Sequence, residues 1–214
     1  MRGNQNRFAS PLALASATQY LIIANLVVFG LELLNPGYSL FENFGLVPYK
    51  VVYQGAIWQL VTSLFLHGGI WHIGFNLLAL WFFGPPVERV WGMKRFFVYY
   101  FVCGIGANLI TILIALTWVP EMMYGVSIGA SGAIYGVLLA FGMLFPEQPV
   151  YLYFLVPIKA KYFVLLAAAI AFFAEIGNLE PGINNWAHLG GLLFGLVYLK
   201  GRSWLRKLSG RLGG

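Results

Sequence analysis

The chain has 214 residues, of which 60% are hydrophobic and only 9% are charged. Because soluble domains carry about 25% charged residues, this composition excludes a soluble protein and predicts an integral membrane protein. The formal net charge is +6. The placement of the basic residues, described below, is typical of membrane orientation and argues against binding of nucleic acid. The single cysteine, Cys103, excludes an intramolecular disulfide framework.

Six apolar stretches predict six membrane-spanning helices and thus an all-α, polytopic bundle. The stretches cover residues 18–34, 70–84, 95–118, 131–145, 158–176 and 185–200. Breakers separate several of them, namely Gly84-Pro85-Pro86, Phe145-Pro146 and Glu180-Pro181-Gly182. We therefore predict one membrane domain over residues 18–200, flanked by an N-terminal tail (1–17) and a basic C-terminal tail (201–214).

The segment between the first two spans, residues 35–69, is long for a loop and rich in apolar and aromatic side chains. Aromatic residues are enriched in the headgroup zone of a membrane. We therefore predict a structured, membrane-associated first loop that lies in the outer interface of the bilayer.

The basic residues predict the topology. If both termini are cytoplasmic, all of the 13 Lys and Arg except Lys50 lie on the inner side. This bias is the positive-inside pattern of a multi-pass membrane protein. The tail that begins at Lys200 is suited to anionic lipid headgroups.

Three polar residues fall at the outer ends of three different spans in this topology. His72 lies near the start of the second span, Ser131 at the start of the fourth, and His188 near the start of the sixth. Ionisable and polar groups in hydrocarbon are costly and are candidates for function. The fourth span is also short, at roughly 21–23 Å of helix against a core of about 30 Å. Either this helix does not cross the bilayer, or Ser131 at its start lies below the outer surface, where a water-filled cavity would suit hydrolysis.

The available chemistry is that of a serine and a histidine. The chain contains no aspartate, which excludes an aspartyl protease and a Ser-His-Asp triad. Its scattered histidines and one cysteine make a poor metal site, and no motif indicates a cofactor. Glu88 and Glu147 are predicted on the inner side, and Glu175 and Glu180 in a solvated outer loop. A Ser131–His188 dyad is the economical interpretation, with His188 as a neutral general base.

The spacing around these residues suits such a site. Ser131 at a helix N-terminus places free backbone N–H groups where an oxyanion would develop, and Tyr135 lies one turn further on the same face. His72 and Asn76 share a face and can donate hydrogen bonds to an oxyanion. Small residues four apart let helices approach closely, although plain helix packing uses the same pattern. These pairs are Gly132 with Gly136 on the fourth span, and Gly191 with Gly195 on the sixth.

The motifs together resemble the rhomboid family of intramembrane serine proteases. They are His72-x-x-x-Asn76, Gly129-x-Ser131-Gly132 followed by Tyr135, and Ala187-His188-x-x-Gly191-x-x-x-Gly195, with Glu88-Arg89 after the second span. The resemblance implies Ser131 as nucleophile and His188 as base. It also implies an oxyanion site of His72, Asn76 and the Ser131 N–H, packing of Tyr135 against His188, and a structural role for Glu88.

One residue departs from that resemblance. The family often has Trp-Arg in the first loop, where this chain has Trp58-Gln59, and we expect altered anchoring of the loop.

Six spans with short tails resemble the bacterial type, which implies an inner-membrane location with both termini cytoplasmic. The implied partners are the lipid bilayer and single-span transmembrane substrates, cleaved near the outer ends of their helices, with no metal and no cofactor.

Two alternatives remain open on the sequence. A rhomboid-like pseudoprotease would bind transmembrane clients without cutting them, and the presence of both Ser131 and His188 argues against it. A small transporter would use the polar cluster as a pathway. Transporters usually show internal repeats and polar residues through the bilayer depth, whereas here the polar groups concentrate on the outer side.

Overall fold

The structure is a computed structural model that describes residues 16–35, 37–152, 155–177 and 184–212. The predicted N-terminal tail, up to residue 15, and the breaker Glu180-Pro181-Gly182 lie outside the described residues. Within this part the chain forms nine α-helices: α1 (Ala17–Leu34), α2 (Tyr38–Phe44), α3 (Pro48–Gln54), α4 (Gln59–Thr62), α5 (Ile70–Trp91), α6 (Met93–Thr117), α7 (Ser131–Leu144), α8 (Ala160–Ile176) and α9 (Asn185–Leu212). Two 3-10 turns (Ser63–Phe65 and Pro120–Met123) and an antiparallel hairpin of β1 (Pro149–Leu152) and β2 (Val156–Lys159) complete it.

The predicted helical, multi-pass membrane fold is confirmed. The six apolar stretches overlap, in chain order, with helices α1, α5, α6, α7, α8 and α9. Among the described residues, α1, α5 and α6 are each long and apolar enough to cross a bilayer. Helix α7 has only 14 residues, about 21 Å at 1.5 Å per residue, as its sequence predicted.

The predicted break at Gly84-Pro85-Pro86 is wrong. Helix α5 continues through Pro85-Pro86 to Trp91, where a break was expected. Proline removes hydrogen bonds within a helix. Tertiary contacts nevertheless stabilise the last turn of α5, because Val87 is fully buried and Glu88 accepts a hydrogen bond from the start of α1. Helix α9 also continues beyond residue 200 to Leu212, through most of the predicted tail. That segment lacks proline and is rich in Leu, Lys and Arg, which favour helix.

Helix α7 lies at the centre of the bundle, where it packs against α5, α6, α8 and α9, while α1 packs on α5 and α6. The core between α6 and α7 contains large side chains with no exposed surface, among them Phe96, Tyr99 and Val137. The Tyr99 hydroxyl donates a 2.7 Å hydrogen bond to the Gly136 carbonyl. Its buried polar end is thus satisfied by the backbone of the central helix.

Ion pairs on the predicted inner side join the connection after α7 to the start of α8. Glu147 contacts Lys159 at 2.7 Å and also pairs with Lys161. Hydrogen bonds from Lys159 and then Lys161 lower the pKa of Glu147 to about 2. The carboxylate therefore stays charged at physiological pH, although its exposure limits its effect on stability.

The first loop is structured, as predicted. It consists of α2, α3, α4 and the following 3-10 turn. Gln59, in the position where arginine was expected, is completely buried. Its Oε1 accepts a 2.9 Å hydrogen bond from the Val47 N–H, and its Nε2 donates to the carbonyls of Glu42 at 3.0 Å and Asn43 at 3.3 Å. A neutral amide therefore anchors the loop.

Substitution of Gln59 by alanine is expected to destabilise the protein by about 1–3 kcal/mol, because it leaves buried backbone groups without partners. The measurement is thermal unfolding in detergent, with Gln54→Ala as the matched control, since Gln54 is exposed at the end of α3. Equal melting temperatures for the two variants would contradict this role.

Glu88 joins the end of α5 to the start of α1. Its carboxylate accepts hydrogen bonds from the Ala17 N–H at 2.6 Å, the Thr18 N–H at 3.0 Å and the Thr18 hydroxyl at 2.8 Å. The first N–H groups of a helix have no partner within the helix, and a negative charge there is favourable. This geometry gives Glu88 the structural contacts that the resemblance implied.

We expect Glu88→Ala to lower stability by about 2–3 kcal/mol, because hydrogen bonds to a charged group each contribute about 1.5–3 kcal/mol and buried N–H groups lose their acceptor. Unfolding of the variant in detergent is to be compared with that of Glu121→Ala, in which an exposed carboxylate is removed. A loss no greater than in the control would disprove the link.

Candidate active site

Ser131 is the first residue of α7, and the turn before it requires glycine. Gly129 has a φ of +121°, a conformation that L side chains rarely adopt. A Cβ at this position would also lie 2.7 Å from Nε2 of His72. The Gly129 N–H donates a 2.9 Å hydrogen bond to the carbonyl of Ser63 in the first loop. The turn is thus fixed, with Ser131 and the free N–H groups of the first turn of α7 at its end.

His188 lies in the first turn of α9 and faces Ser131. Its Nε2 is 2.8 Å from the Ser131 Oγ. The ring of Tyr135 stacks on the imidazole, with centroids 4.4 Å apart and planes 5° from parallel. Tyr135 lies one turn along α7 from Ser131. One face of α7 therefore contacts the imidazole twice, at the ring edge through Ser131 and on the ring plane through Tyr135.

The close approach of α7 and α9 makes this contact possible. A Cβ on Gly191 would overlap the carbonyl oxygen of Gly132. A Cβ on Gly195 would lie 2.5 Å from the Tyr99 hydroxyl, and one on Gly132 would lie 2.5 Å from the Ala107 Cβ. The small residues that the sequence singled out therefore form the contact surfaces of α6, α7 and α9.

His72 and Asn76 lie on α5, on the opposite side of the Ser131 turn. The Gly68 N–H lies 3.3 Å from Nδ1 of His72, which acts as the acceptor. The proton of a neutral His72 is then on Nε2, the atom that faces the Gly129 backbone. Asn76 is buried, and its Nδ2 donates to the His72 carbonyl at 3.0 Å, which leaves a second N–H on that amide.

These side chains line one cavity of about 820 Å³. Its polar lining comes from residues at the starts of α5, α7 and α9, together with Asn108 on α6 and Ser127 before α7. Its apolar walls include Trp71, Phe75, Val126 and Ile128. Such a mixture of apolar walls and a few convergent polar groups is typical of a substrate site. In the described part of the chain, no group of three or more metal-ligating side chains is present.

Polar side chains that were not predicted from the sequence surround the start of α9. Asn185 Oδ1 lies 3.2 Å from Nδ1 of His188. Glu175 was predicted in a solvated loop, but it lies in the last turn of α8, and its Oε2 accepts a 3.0 Å hydrogen bond from the Asn185 N–H. The i, i+3 spacing of Asn185 and His188 was the available signal, because such pairs face each other on a helix.

A second missed contact supports the loop beside His72. Glu32 on α1 is buried, and its Oε1 accepts a 3.0 Å hydrogen bond from the His67 N–H. His67 precedes Gly68, whose N–H binds His72. The His67 and His72 rings are 5.0 Å apart. A carboxylate on the first helix therefore holds the backbone that orients His72.

Comparison with known proteins shows the family to which the chain is similar. The family model described as "Rhomboid domain" matches residues 54–204. Rhomboid protein 1, mitochondrial, of Saccharomyces cerevisiae is 33% identical over 183 residues, covering 83% of this chain and 51% of its own length. Rhomboid protease GluP of Bacillus subtilis is 34% identical over 180 residues, covering 82% of this chain and 33% of its own length. RHOMBOID-like protein 6, mitochondrial, of Arabidopsis thaliana is 33% identical over 166 residues, covering 76% of this chain and 49% of its own length.

The chain therefore spans about half, or less, of the length of these curated relatives. The segment that the family model matches includes Ser131 and His188, and also His72 and Asn76 on α5. The chain belongs to the rhomboid family.

Proposed function

We propose that this rhomboid-family chain is an intramembrane serine endopeptidase that uses a Ser131–His188 dyad. The observation that carries the proposal is the 2.8 Å contact between the Ser131 Oγ and His188 Nε2 inside a cavity with polar groups at one end. A serine with a base in hydrogen-bond reach is the signature of an activated nucleophile. The relative named as a protease, GluP of Bacillus subtilis, supports the same activity.

The reaction follows from the positions of these atoms. The Ser131 Oγ attacks the carbonyl carbon of the scissile bond as its proton passes to Nε2 of His188. The imidazolium then returns that proton to the leaving amine, the C–N bond breaks, and an acyl-enzyme remains. A water molecule next gives a proton to Nε2 as its oxygen attacks the acyl carbon. His188 then returns that proton to the Ser131 Oγ as the ester bond breaks, which releases the carboxylic acid product and restores the free serine.

The negative charge of the tetrahedral intermediate needs donors opposite the attacking hydroxyl. We assign this role to the Ser131 N–H, the Nε2–H of His72 and the free N–H of Asn76. The hydrogen bond from Gly68 to Nδ1 of His72 favours the tautomer that this role requires. Preorganised donors of this kind act strongly in a site that excludes bulk water.

The substrates we propose are single-span membrane proteins, cleaved near the outer ends of their helices. A helical peptide bond is shielded by its own hydrogen bonds, so the segment to be cut must unwind before Ser131 can reach it. The bias of the basic residues supports a topology in which both termini are cytoplasmic and the cavity faces the outer side. We propose a bacterial inner membrane as the location.

Ser131→Ala and His188→Ala are each expected to abolish cleavage of a tagged single-span substrate in proteoliposomes, with losses of about 10⁴-fold or more, because each removes one half of the dyad. Ser39→Ala is the matched control, since Ser39 is exposed on α2. Cleavage that survives Ser131→Ala would disprove the assignment. Failure of the unaltered protein to cut any substrate, or to react with a fluorophosphonate at Ser131, would favour a client-binding pseudoprotease.

Substitution of His72 or Asn76 by alanine is expected to lower kcat by about 10²–10³-fold for each donor that stabilises the oxyanion. KM should change little, because the missing hydrogen bond forms in the transition state. Leu78→Ala serves as the control, since Leu78 is exposed on the same helix. A rise in KM with kcat unchanged would show that these residues bind substrate instead.

A further inference from the structure

We propose that Asn185 and Glu175 are positioning residues for His188 and form, with Ser131, a four-residue polar relay. In this relay Glu175 orients the Asn185 amide, and the amide selects the tautomer of His188 in which Nε2 is free to accept the serine proton. The inference rests on the function proposed above and deepens it. It assigns roles to two side chains that the dyad alone does not use.

The first step is the contact between His188 and Asn185. A general base that takes a proton at Nε2 must carry its own proton on Nδ1, and that N–H needs an acceptor. Asn185 Oδ1 lies 3.2 Å from Nδ1 and is the acceptor that the structure offers. Asn185 is only 3% exposed, so water does not compete freely for this contact. Unrelated cysteine proteases with a Cys-His-Asn arrangement use an asparagine in the same way.

The second step concerns the orientation of the Asn185 amide. An asparagine can present either its oxygen or its NH₂ group to an imidazole, and the two choices favour opposite tautomers. If NH₂ faced Nδ1, the imidazole proton would lie on Nε2 and point at the Ser131 hydroxyl. His188 could not then accept the serine proton. Something must therefore fix the amide.

Glu175 supplies that restraint. Its Oε2 accepts the Asn185 backbone N–H at 3.0 Å, and its carboxylate also interacts with the Trp186 N–H and with the Asn185 side chain. A carboxylate accepts hydrogen bonds and repels an amide oxygen, so it attracts the NH₂ group of Asn185. The amide oxygen is then turned toward His188. In this orientation the amide offers its oxygen to His188 and its NH₂ group to the Glu175 carboxylate.

The same carboxylate stabilises the helix that carries the base. The first N–H groups of α9 have no partner within the helix, and a negative charge next to them is favourable. Asn184 completes the cap, since its Oδ1 accepts the Ala187 N–H at 3.1 Å while its Nδ2 donates to Thr111 at 2.9 Å and Ser127 at 3.0 Å. Asn184 therefore places the helix, whereas Asn185 and Glu175 orient the imidazole on it.

The experiment measures the tautomer of His188 by nitrogen NMR on the full chain in detergent micelles, with ring-¹⁵N histidine. His188→Gln identifies the His188 signals among those of the three histidines. We expect the unaltered protein to show the Nδ1–H form. Asn185→Ala and Glu175→Gln should both shift His188 toward the Nε2–H form or a mixture, because a glutamine can accept the flipped amide. Glu121→Gln, in which the altered carboxylate is exposed, should leave the signals unchanged.

Cleavage kinetics give the second readout. Asn185→Ala should lower kcat by about 10–100-fold with little change in KM, comparable with other residues that orient a functional histidine. Asn185→Asp, which keeps an acceptor for Nδ1, should recover most of that loss. If Asn185→Ala fails to fold, Glu175→Gln and Asn185→Asp carry the same test.

The outcomes separate this relay from the proposed function. An Nε2–H form in the unaltered protein, or an unchanged tautomer in both Asn185→Ala and Glu175→Gln, overturns the relay even if cleavage depends on Ser131. A lower melting temperature with an unchanged tautomer also overturns it, because the two residues would then be structural only. Absence of cleavage by the unaltered protein would count against the protease, while the NMR result would still decide the relay.

Discussion

The close contact between α7 and α9 is the constraint on which the rest of the site depends. Gly191 lies directly against the carbonyl of Gly132, so the two helices are as near as backbones can come. Helix α6 packs behind them, since a Cβ on Gly132 would lie 2.5 Å from the Ala107 Cβ. This spacing sets the 2.8 Å between the Ser131 Oγ and His188 Nε2. Any larger side chain in the contact would separate Ser131 from His188, the proposed nucleophile and base, and small displacements of reacting groups cost much of the rate.

Buried polar side chains provide the second level of organisation. In a bilayer, backbone that is not helical must find its hydrogen bonds within the protein. Gln59 bonds the backbone of the first loop, Glu88 the start of α1, and Glu32 the turn before α5. Each of these side chains lies where a helix begins or a loop bends. The polar groups that are costly in hydrocarbon therefore fix the irregular parts of the chain.

Much of the fold and the contact between Ser131 and His188 could be predicted from the sequence, because both leave strong local signals. Long apolar runs mark the helices, and a serine and a histidine inside such runs are exceptional. Glu175 and Asn185, which we propose orient His188, leave weaker signals in the sequence. Glu175 was placed in a loop because acidic residues near a predicted helix end usually face solvent, and the contact that holds it comes from another helix. The helix through Pro85-Pro86 was missed for a similar reason, since the burial of Val87 and the bonds of Glu88 depend on α1 and the core.

The first loop supports the non-helical segment that precedes Ser131. Leu46 and Ser127 exchange two backbone hydrogen bonds, at 2.9 and 2.8 Å, and the Gly129 N–H binds the Ser63 carbonyl. Asn108 on α6 in turn binds the Leu60 carbonyl at 2.9 Å and the Ser63 hydroxyl at 2.8 Å. The backbone N–H and C=O groups of the non-helical segment before Ser131 thus find hydrogen-bond partners in the first loop. Helix α7 is shorter than the hydrocarbon core is thick, so we expect that segment to lie below the outer surface. The loop that satisfies its backbone would then also support a polar cavity at that depth.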